Sequence, residues 1–356
     1  GAPPGPHRGW RAAQPLELHE SGTLARFALA VAGLCGRCED HFELRASGSL
    51  ARRRSDALVH ALEEAGVRFE SRPWPARISP IGPPPSVHLR APRSSQEASA
   101  LALALCAWPD ESELEIQGAL PSEPYFEMTL RMLAQFGARI ERSDAVLRLR
   151  GPLRAPEAPI AIEPDASAAA VALAAACLGG GDVVASGLAP NALQGDVRIV
   201  EQLRAFGCRA VFARHGIVAA GYPQRAAHGE LAGEPDLAPV LAAIAAGAAL
   251  VDPHASSLLT GLGTLPGKES SRIETLARGL RTAGWSAEAA PDWLRIGAGE
   301  YRGGPHVPAE VELDPHGDHR MAFAFALLGL VRSGVLVRDP DCVAKSWPSF
   351  WRDLAA

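Results

Sequence analysis

The sequence predicts an α/β protein built from repeated helix-and-strand units and folded as two globular halves. A recurring glycine stop is the first sign: Leu62, Leu133, Leu203 and Leu280 each stand four residues before Gly66, Gly137, Gly207 and Gly284, at intervals of 71, 70 and 77 residues. Glycine suits the left-handed residue that closes a helix. The second sign is a series of alanine- and leucine-rich stretches without a polar face, at 23–34, 94–107, 165–178, 236–250 and 318–331, which read as buried helices. Short strands such as Val146–Leu149 and Val335–Val337 are expected to punctuate them. A period of roughly 70 residues is too long for a common helical solenoid, so each unit is expected to be a small α/β layer. Five units are expected, the first from Pro15 and the last closing with Phe350-Trp351.

The chain has 356 residues, enough for two domains. Pro152, Pro156, Pro159 and Pro164 break the helical pattern around 151–163, which sets the expected boundary. The expected halves are 15–160, with two units and an incomplete start, and 161–356, with three. Residues 1–14 read as irregular, and the proline-rich stretch 80–92 reads as a loop within a unit. Apolar residues make up 47% and aromatics only 6%, which argues for closely packed helices in place of one large aromatic core.

A net charge of -5 offers no general attraction to nucleic acid, so anions must be held by local clusters, of which Arg52-Arg53-Arg54 is the densest. No apolar run is long enough to span a membrane, and the start lacks the apolar core of a signal peptide; a soluble, cytoplasmic protein is expected. Of the six cysteines, Cys35 and Cys38 have the spacing of a metal or redox pair, but no second pair accompanies them. Chance spacing is the expected reading, with the thiols reduced and mostly buried.

Polar residues open the apolar helices: Glu20-Ser21-Gly22-Thr23 before Arg26, Arg93-Ser94-Ser95-Gln96, and Pro121-Ser122-Glu123-Pro124-Tyr125. Helix starts bind anions, although Ser, Thr and Asp also serve there as plain caps. Isolated cations accompany them: Arg53, Lys268, Arg272, Arg320 and Lys345. Lys268 and Arg272 are expected to share one face of a helix running to Gly284, with Glu269 beside them. Asp236 and Glu269 are the candidates for proton transfer, while Asp165, Asp196 and Asp318 fit helix caps equally well; the residues alone do not separate these. His319 reads as a cap or core histidine as readily as a functional one.

Seven of these strings stand in one order: Ser21-Gly22-Thr23 with Arg26, Pro121–Tyr125, Asp165-Ala166-Ser167, Asn191–Asp196, Lys268-Glu269 with Arg272, Asp318-His319-Arg320-Met321-Ala322, and Ala344-Lys345-Ser346. Together they resemble the 3-phosphoshikimate 1-carboxyvinyltransferase (EPSP synthase) family of enolpyruvyl transferases. The related UDP-N-acetylglucosamine enolpyruvyl transferases are less similar, since their reactive loop cysteine has no counterpart. The resemblance implies a two-domain enolpyruvyl-transferase-like fold of βαβαββ units, three per domain, with the substrates bound at the cleft. It implies transfer of the enolpyruvyl group of phosphoenolpyruvate to the 5-hydroxyl of shikimate 3-phosphate, with phosphate released and no metal or organic cofactor. Carried over by position, Gly22, Arg53, Arg272, Arg320 and Lys345 would hold phosphoenolpyruvate. Ser94, Ser95, Gln96, Ser122, Tyr125 and Lys268 would hold shikimate 3-phosphate, with Thr23 also a substrate contact. Asp236 would be the base and Glu269 the proton donor. A monomer without nucleic-acid or membrane partners is expected.

The chain departs from the pattern at Glu20, Thr264 and Pro266, where the family has Asn, Asn and Arg, and at Ser271, where it has Asp. Five units against six suggest a chain shortened at its start. The first unit of the family carries a lysine, a serine and an arginine that touch the substrates. Loss of charge-assisted contacts of roughly 1.5 to 3 kcal/mol each would leave catalysis weak. The alternatives are therefore a relative that binds an anionic metabolite without turnover and an enolpyruvyl transferase with another acceptor.

Overall fold

One wiring pattern recurs through the chain. In the first group, strand β1 (Leu16–Glu17) leads through helix α1 (Gly22–Cys35) to β2 (Phe42–Arg45), which pairs with it in parallel. Helix α2 (Asp56–Glu64) then leads to the hairpin β3 (Arg68–Ser71) and β4 (Ala76–Ser79), and β4 lies antiparallel between β2 and β3. The same wiring joins β5 (Ser86–Arg90), α3 (Ser95–Leu105), β6 (Glu111–Gln117), α4 (Glu123–Gln135), β7 (Arg139–Ser143) and β8 (Val146–Arg150). Two strands that pair in parallel need a crossover between them, here a helix, because a tight turn can only reverse the chain.

The computed structural model describes residues 14–36, 41–48, 50–52, 55–72, 74–303 and 309–355. Between Ala161 and Ile162 the chain divides into two compact units. The second begins with α5 (Ala166–Gly179), β9 (Asp182–Ser186), α6 (Ile199–Ala205), β10 (Arg209–Ala213) and β11 (Gly216–Ala220), whose strands form an antiparallel sheet centred on β11. The full wiring returns in β12 (His228–Glu230), α7 (Ala238–Val251), β13 (Ser256–Thr260), α8 (Arg272–Thr282), β14 (Ser286–Ala290) and β15 (Trp293–Gly297). A parallel pair, β16 (Val311–Leu313) and β17 (Val335–Val337), flanks α9 (His319–Val331), and α10 (Phe350–Leu354) follows.

The glycine stops behave as their spacing predicts: Gly66, Gly137, Gly207 and Gly284 have φ of 106°, 86°, 86° and 94°, just beyond α2, α4, α6 and α8. The apolar series forms the expected buried helices, most completely in α7, where every residue from Ala238 to Ala249 is buried. Two local expectations fail. The proline-rich stretch 80–92 holds strand β5, because Val87 and Leu89 alternate into the core and Pro84 and Pro85 stop short of the paired residues. Helix α8 starts only at Arg272: a 3-10 turn at Leu265–Gly267 ends in an extended Lys268, so Lys268 and Arg272 do not share a helical face.

The few aromatics gather locally. Phe350 lies 4.5 Å from Phe323 and 5.4 Å from Trp347 between ring centres, and the indole of Trp351 donates to the carbonyl of Pro340 at 2.9 Å. These contacts fasten α10 and the 3-10 turn Pro340–Lys345 to α9. Five cysteines are free thiols, four of them buried, while Cys38 lies outside the described residues. No helix among the described residues is long and apolar enough to cross a membrane.

Helices α8 and α9 meet where Gly279 faces the ring of Phe325, and a methyl group at Gly279 would overlap that ring. Gly279→Ala is therefore expected to destabilise the protein by about 1–3 kcal/mol through overpacking. Gly179→Ala, which meets open space, serves as the control in scanning calorimetry.

Candidate active site

In the second unit a single guanidinium collects three carboxylates. Arg272, only 2% exposed at the first residue of α8, reaches Asp236 at 2.9 Å through Nη1, Glu269 at 2.7 Å through Nη2, and Asp318 at 2.8 Å through Nε. Three segments supply those acids: the 3-10 turn Pro235–Leu237, the extended link before α8, and the N-terminal cap of α9. More cations surround them. Lys268 Nζ lies 3.3 Å from Asp236, Arg320 Nη2 lies 3.3 Å from the other oxygen of Asp236, and Lys345 Nζ lies 3.6 Å from Glu269.

The proton affinities follow from this enclosure. Burial pushes the Asp236 carboxyl upward, but Arg320, Lys268 and Arg272 outweigh it and hold the group well below the usual carboxylate range. Burial would likewise weaken the Arg272 cation, yet Asp236, Asp318 and Glu269 raise its pKa further. His319 has its pKa lowered to about 4 by burial and by Arg320, so it is neutral at pH 7; its ring meets Phe323 edge-on at 5.9 Å.

Asp318 answers two demands. It accepts the amide of Arg320 at 3.0 Å as the cap of α9, and the same carboxylate binds Arg272 and the hydroxyl of Ser270. Behind Arg320, its Nη2 donates to Ser167 Oγ at 3.3 Å, and that hydroxyl donates to the buried Asp196 at 2.8 Å. By sequence Asp318 and Asp196 fit helix caps as well as Asp165 does. Only Asp165 is a plain one, accepting the amide of Ala168 at 3.0 Å.

Glu234 was not anticipated. It is fully buried two residues before Asp236, and Arg198 meets it at 2.9 Å. Burial pushes its pKa up to about 7 against the pull of Arg198, with Asp196 and Glu230 adding to the rise. A buried carboxyl beside a half-exposed arginine 36 residues away leaves no pattern in the sequence.

In the first unit a second group forms at helix starts. The amide of Gln96 donates to Thr23 Oγ1 at 2.8 Å, and Arg26 donates to the Gln96 side-chain oxygen at 2.7 Å and to the carbonyl of Gly22 at 3.1 Å. Ser94 caps α3 in a reciprocal pair with Glu97, and Ser95 is buried behind it. Hydroxyls of Ser99 and Thr129 meet at 2.8 Å, and the preceding turns carry Ser95 and Tyr125. Ser122, at the start of α4, holds a left-handed φ of 54° without capping the helix through its side chain. Arg53 lies outside the described residues.

Most predicted residues therefore fall into two groups. Asp236, Lys268, Glu269, Arg272, Arg320 and Lys345 gather in the second unit; Gly22, Thr23, Ser94, Ser95, Gln96, Ser122 and Tyr125 mark helix starts in the first. Arg272 differs from the expectation in being enclosed by acids of its own chain. Among the described residues, no three His, Cys, Asp or Glu side chains are grouped so as to hold a metal ion.

A family model described as EPSP synthase (3-phosphoshikimate 1-carboxyvinyltransferase) matches residues 4–354. The chain belongs to the EPSP synthase family. It is 34% identical to the 3-phosphoshikimate 1-carboxyvinyltransferase of Syntrophobacter fumaroxidans, over 97% of this chain and 81% of that one. Identity to the protein of the same name from Methanoculleus marisnigri is 31%, over 95% and 78%. In fold it is similar to the EPSP synthase of Acinetobacter baumannii, with a TM-score of 0.72 at 24% identity over 96% of this chain and 78% of that one. It is also similar in fold to the enolpyruvyl transferase NikO of Streptomyces tendae, with a TM-score of 0.61 at 17% identity over 84% and 70%.

Arg272→Ala would leave buried carboxylates without their partner, and is expected to cost about 3–5 kcal/mol at pH 7. Asp236 has a depressed pKa, so its contribution is present above its unfolded value of 3.8 and lost as pH falls below that; the deficit of the variant should narrow in acid denaturation series. Glu234 has the opposite sign. Its folded pKa lies above the unfolded 4.5, so the folded state loses stability as pH rises from 4.5 to about 7. Melting curves of Glu234→Gln should lack that loss.

Proposed function

We propose that this chain transfers the enolpyruvyl group of phosphoenolpyruvate to the 5-hydroxyl of shikimate 3-phosphate with release of phosphate. The reading is carried by the cluster in which Lys268, Arg272, Arg320 and Lys345 surround Asp236 and Glu269, in a chain of the EPSP synthase family. Two anionic substrates need fixed cations, and an addition followed by an elimination needs groups that take and give protons.

On this reading Arg272, Arg320 and Lys345 bind phosphoenolpyruvate, with Gly22 and Arg53 assisting. Lys268, Ser94, Ser95, Gln96, Ser122 and Tyr125 bind shikimate 3-phosphate, and Thr23 is a further contact. An arriving phosphate or carboxylate competes with Asp236 and Glu269 for the cations. That exchange has a chemical effect: once a ligand anion neutralises Arg320 and Lys268, the pull that keeps Asp236 a weak base is relaxed. Asp236 then takes the proton of the 5-hydroxyl as its oxygen bonds to C2 of phosphoenolpyruvate, while Glu269 gives a proton to the C3 methylene. In the elimination the Glu269 carboxylate takes a proton back from the new methyl group as phosphate leaves C2, which restores the double bond. We place the reaction in the cytoplasm, a setting that the free thiols of Cys35, Cys106, Cys177 and Cys208 support.

Phosphate release from phosphoenolpyruvate plus shikimate 3-phosphate tests the proposal. Its absence, with calorimetric binding of shikimate 3-phosphate retained, would replace the enzyme by a binding protein. Glu269→Gln is expected to lower kcat by about 10²–10⁴-fold while leaving that binding within a few-fold. Undiminished turnover would remove Glu269 from the proton-transfer role.

A further inference from the structure

The first unit carries a concentration of positive charge that the proposed reaction does not use. An open pocket of about 480 Å³ is lined by Arg139, Arg150 and Arg154 together with Pro109, Gly137 and Gly151. Its charge comes from strand register. On β8, Arg148 is flanked by Glu113 of β6 and Glu141 of β7, and it pairs with Glu113 at 3.1 Å. One step along the same face, Arg150 faces Glu111 on β6 but Arg139 on β7. Like charges directly opposed across a sheet destabilise the pair, so this rung is paired with a ligand's charge more favourably than with itself.

Among the described residues no internal partner resolves the conflict. Arg150 turns its Nε to the carbonyl of Pro109 at 3.0 Å, and the amide of Arg154 is fixed on the carbonyl of Phe136 at 2.7 Å. Asp110 and Glu111 are exposed, and neither comes within 4.0 Å ion-pair distance of the three arginines among the described residues. The pocket lies just beyond the C-terminal ends of α3 and α4, but each helix end is worth only about half a negative charge, so the two together offset about one guanidinium of the three. The walls are preformed. A side chain at Gly151 would overlap the carbonyl of Cys106, so the backbone sits hard against the end of α3, while Gly137 faces open space.

We propose that this pocket is an anion site that takes the phosphate group of a small phosphorylated metabolite. Guanidinium forks grip phosphate oxygens in pairs, and the volume leaves room for an organic group beyond the phosphate. The site stands at the opposite end of α3 from Ser95 and Gln96, roughly 16 Å away along an 11-residue helix, so one small ligand cannot occupy both places.

Calorimetric titration with inorganic phosphate, glucose 6-phosphate, 3-phosphoglycerate and AMP, on the full chain, tests the site. At least one ester should bind more tightly than inorganic phosphate, lose tenfold or more of its affinity in Arg139→Gln/Arg154→Gln, and keep it in Arg320→Ala. The single variant Arg154→Glu should weaken the same ester, with unchanged melting curves as the control for folding. Binding of no ester, binding no tighter than inorganic phosphate, or sensitivity to Arg320→Ala in place of the pocket variants would overturn the proposal.

Discussion

The second unit depends on the ion pairs of Arg272. A guanidinium with 2% exposure would be costly alone, and so would the fully buried Asp318; each makes the other tolerable. Because the acids come from three separate segments, the cation ties the turn before α7, the link before α8 and the start of α9 to one point. Three elements of the second unit thus share one charged anchor. The same contacts that neutralise buried charge also fix Asp236 and Glu269 among the remaining cations.

Two supports keep that point in place. The cap of α9 brings Asp318 and Arg320 to the cluster, and Asp196 steadies Arg320 through the hydroxyl of Ser167. Lys345 arrives by a different route, on a short 3-10 turn fastened by Phe323, Trp347, Phe350 and Trp351. Aromatic contacts do there what the alanine-rich helices do elsewhere, with few residues and large buried surfaces.

Helix existence was legible because its signals are local: the apolar stretches and the glycines beyond α2, α4, α6 and α8 need no partner to be recognised. Strand β5 was hidden because prolines around it mimic a loop, although its own alternation of Val87 and Leu89 is clear once a sheet is present. The cations and acids of this cluster could be singled out in the sequence by type and place. Their pairing could not. Asp318 looked like a cap and is one, yet its second bond to Arg272 spans 46 residues; Glu234 and Arg198 meet across 36. Lys268 shows the converse, since helical spacing suggested a shared face with Arg272 and an extended residue brings both to Asp236 by another path.

The contact of Gly279 with Phe325 has a geometric meaning for the cluster. Gly279 follows Arg272 by seven residues on α8, and Phe325 follows Asp318 by seven along α9. Both intervals are two helical turns, about 10 Å, so the bare backbone of Gly279 and the bond between Arg272 and Asp318 are two rungs between the same pair of rails. A wider rung at the first would splay the rails at the second. The hydrogen that stands in place of a side chain at Gly279 acts as a spacer, setting a distance between charges two turns away.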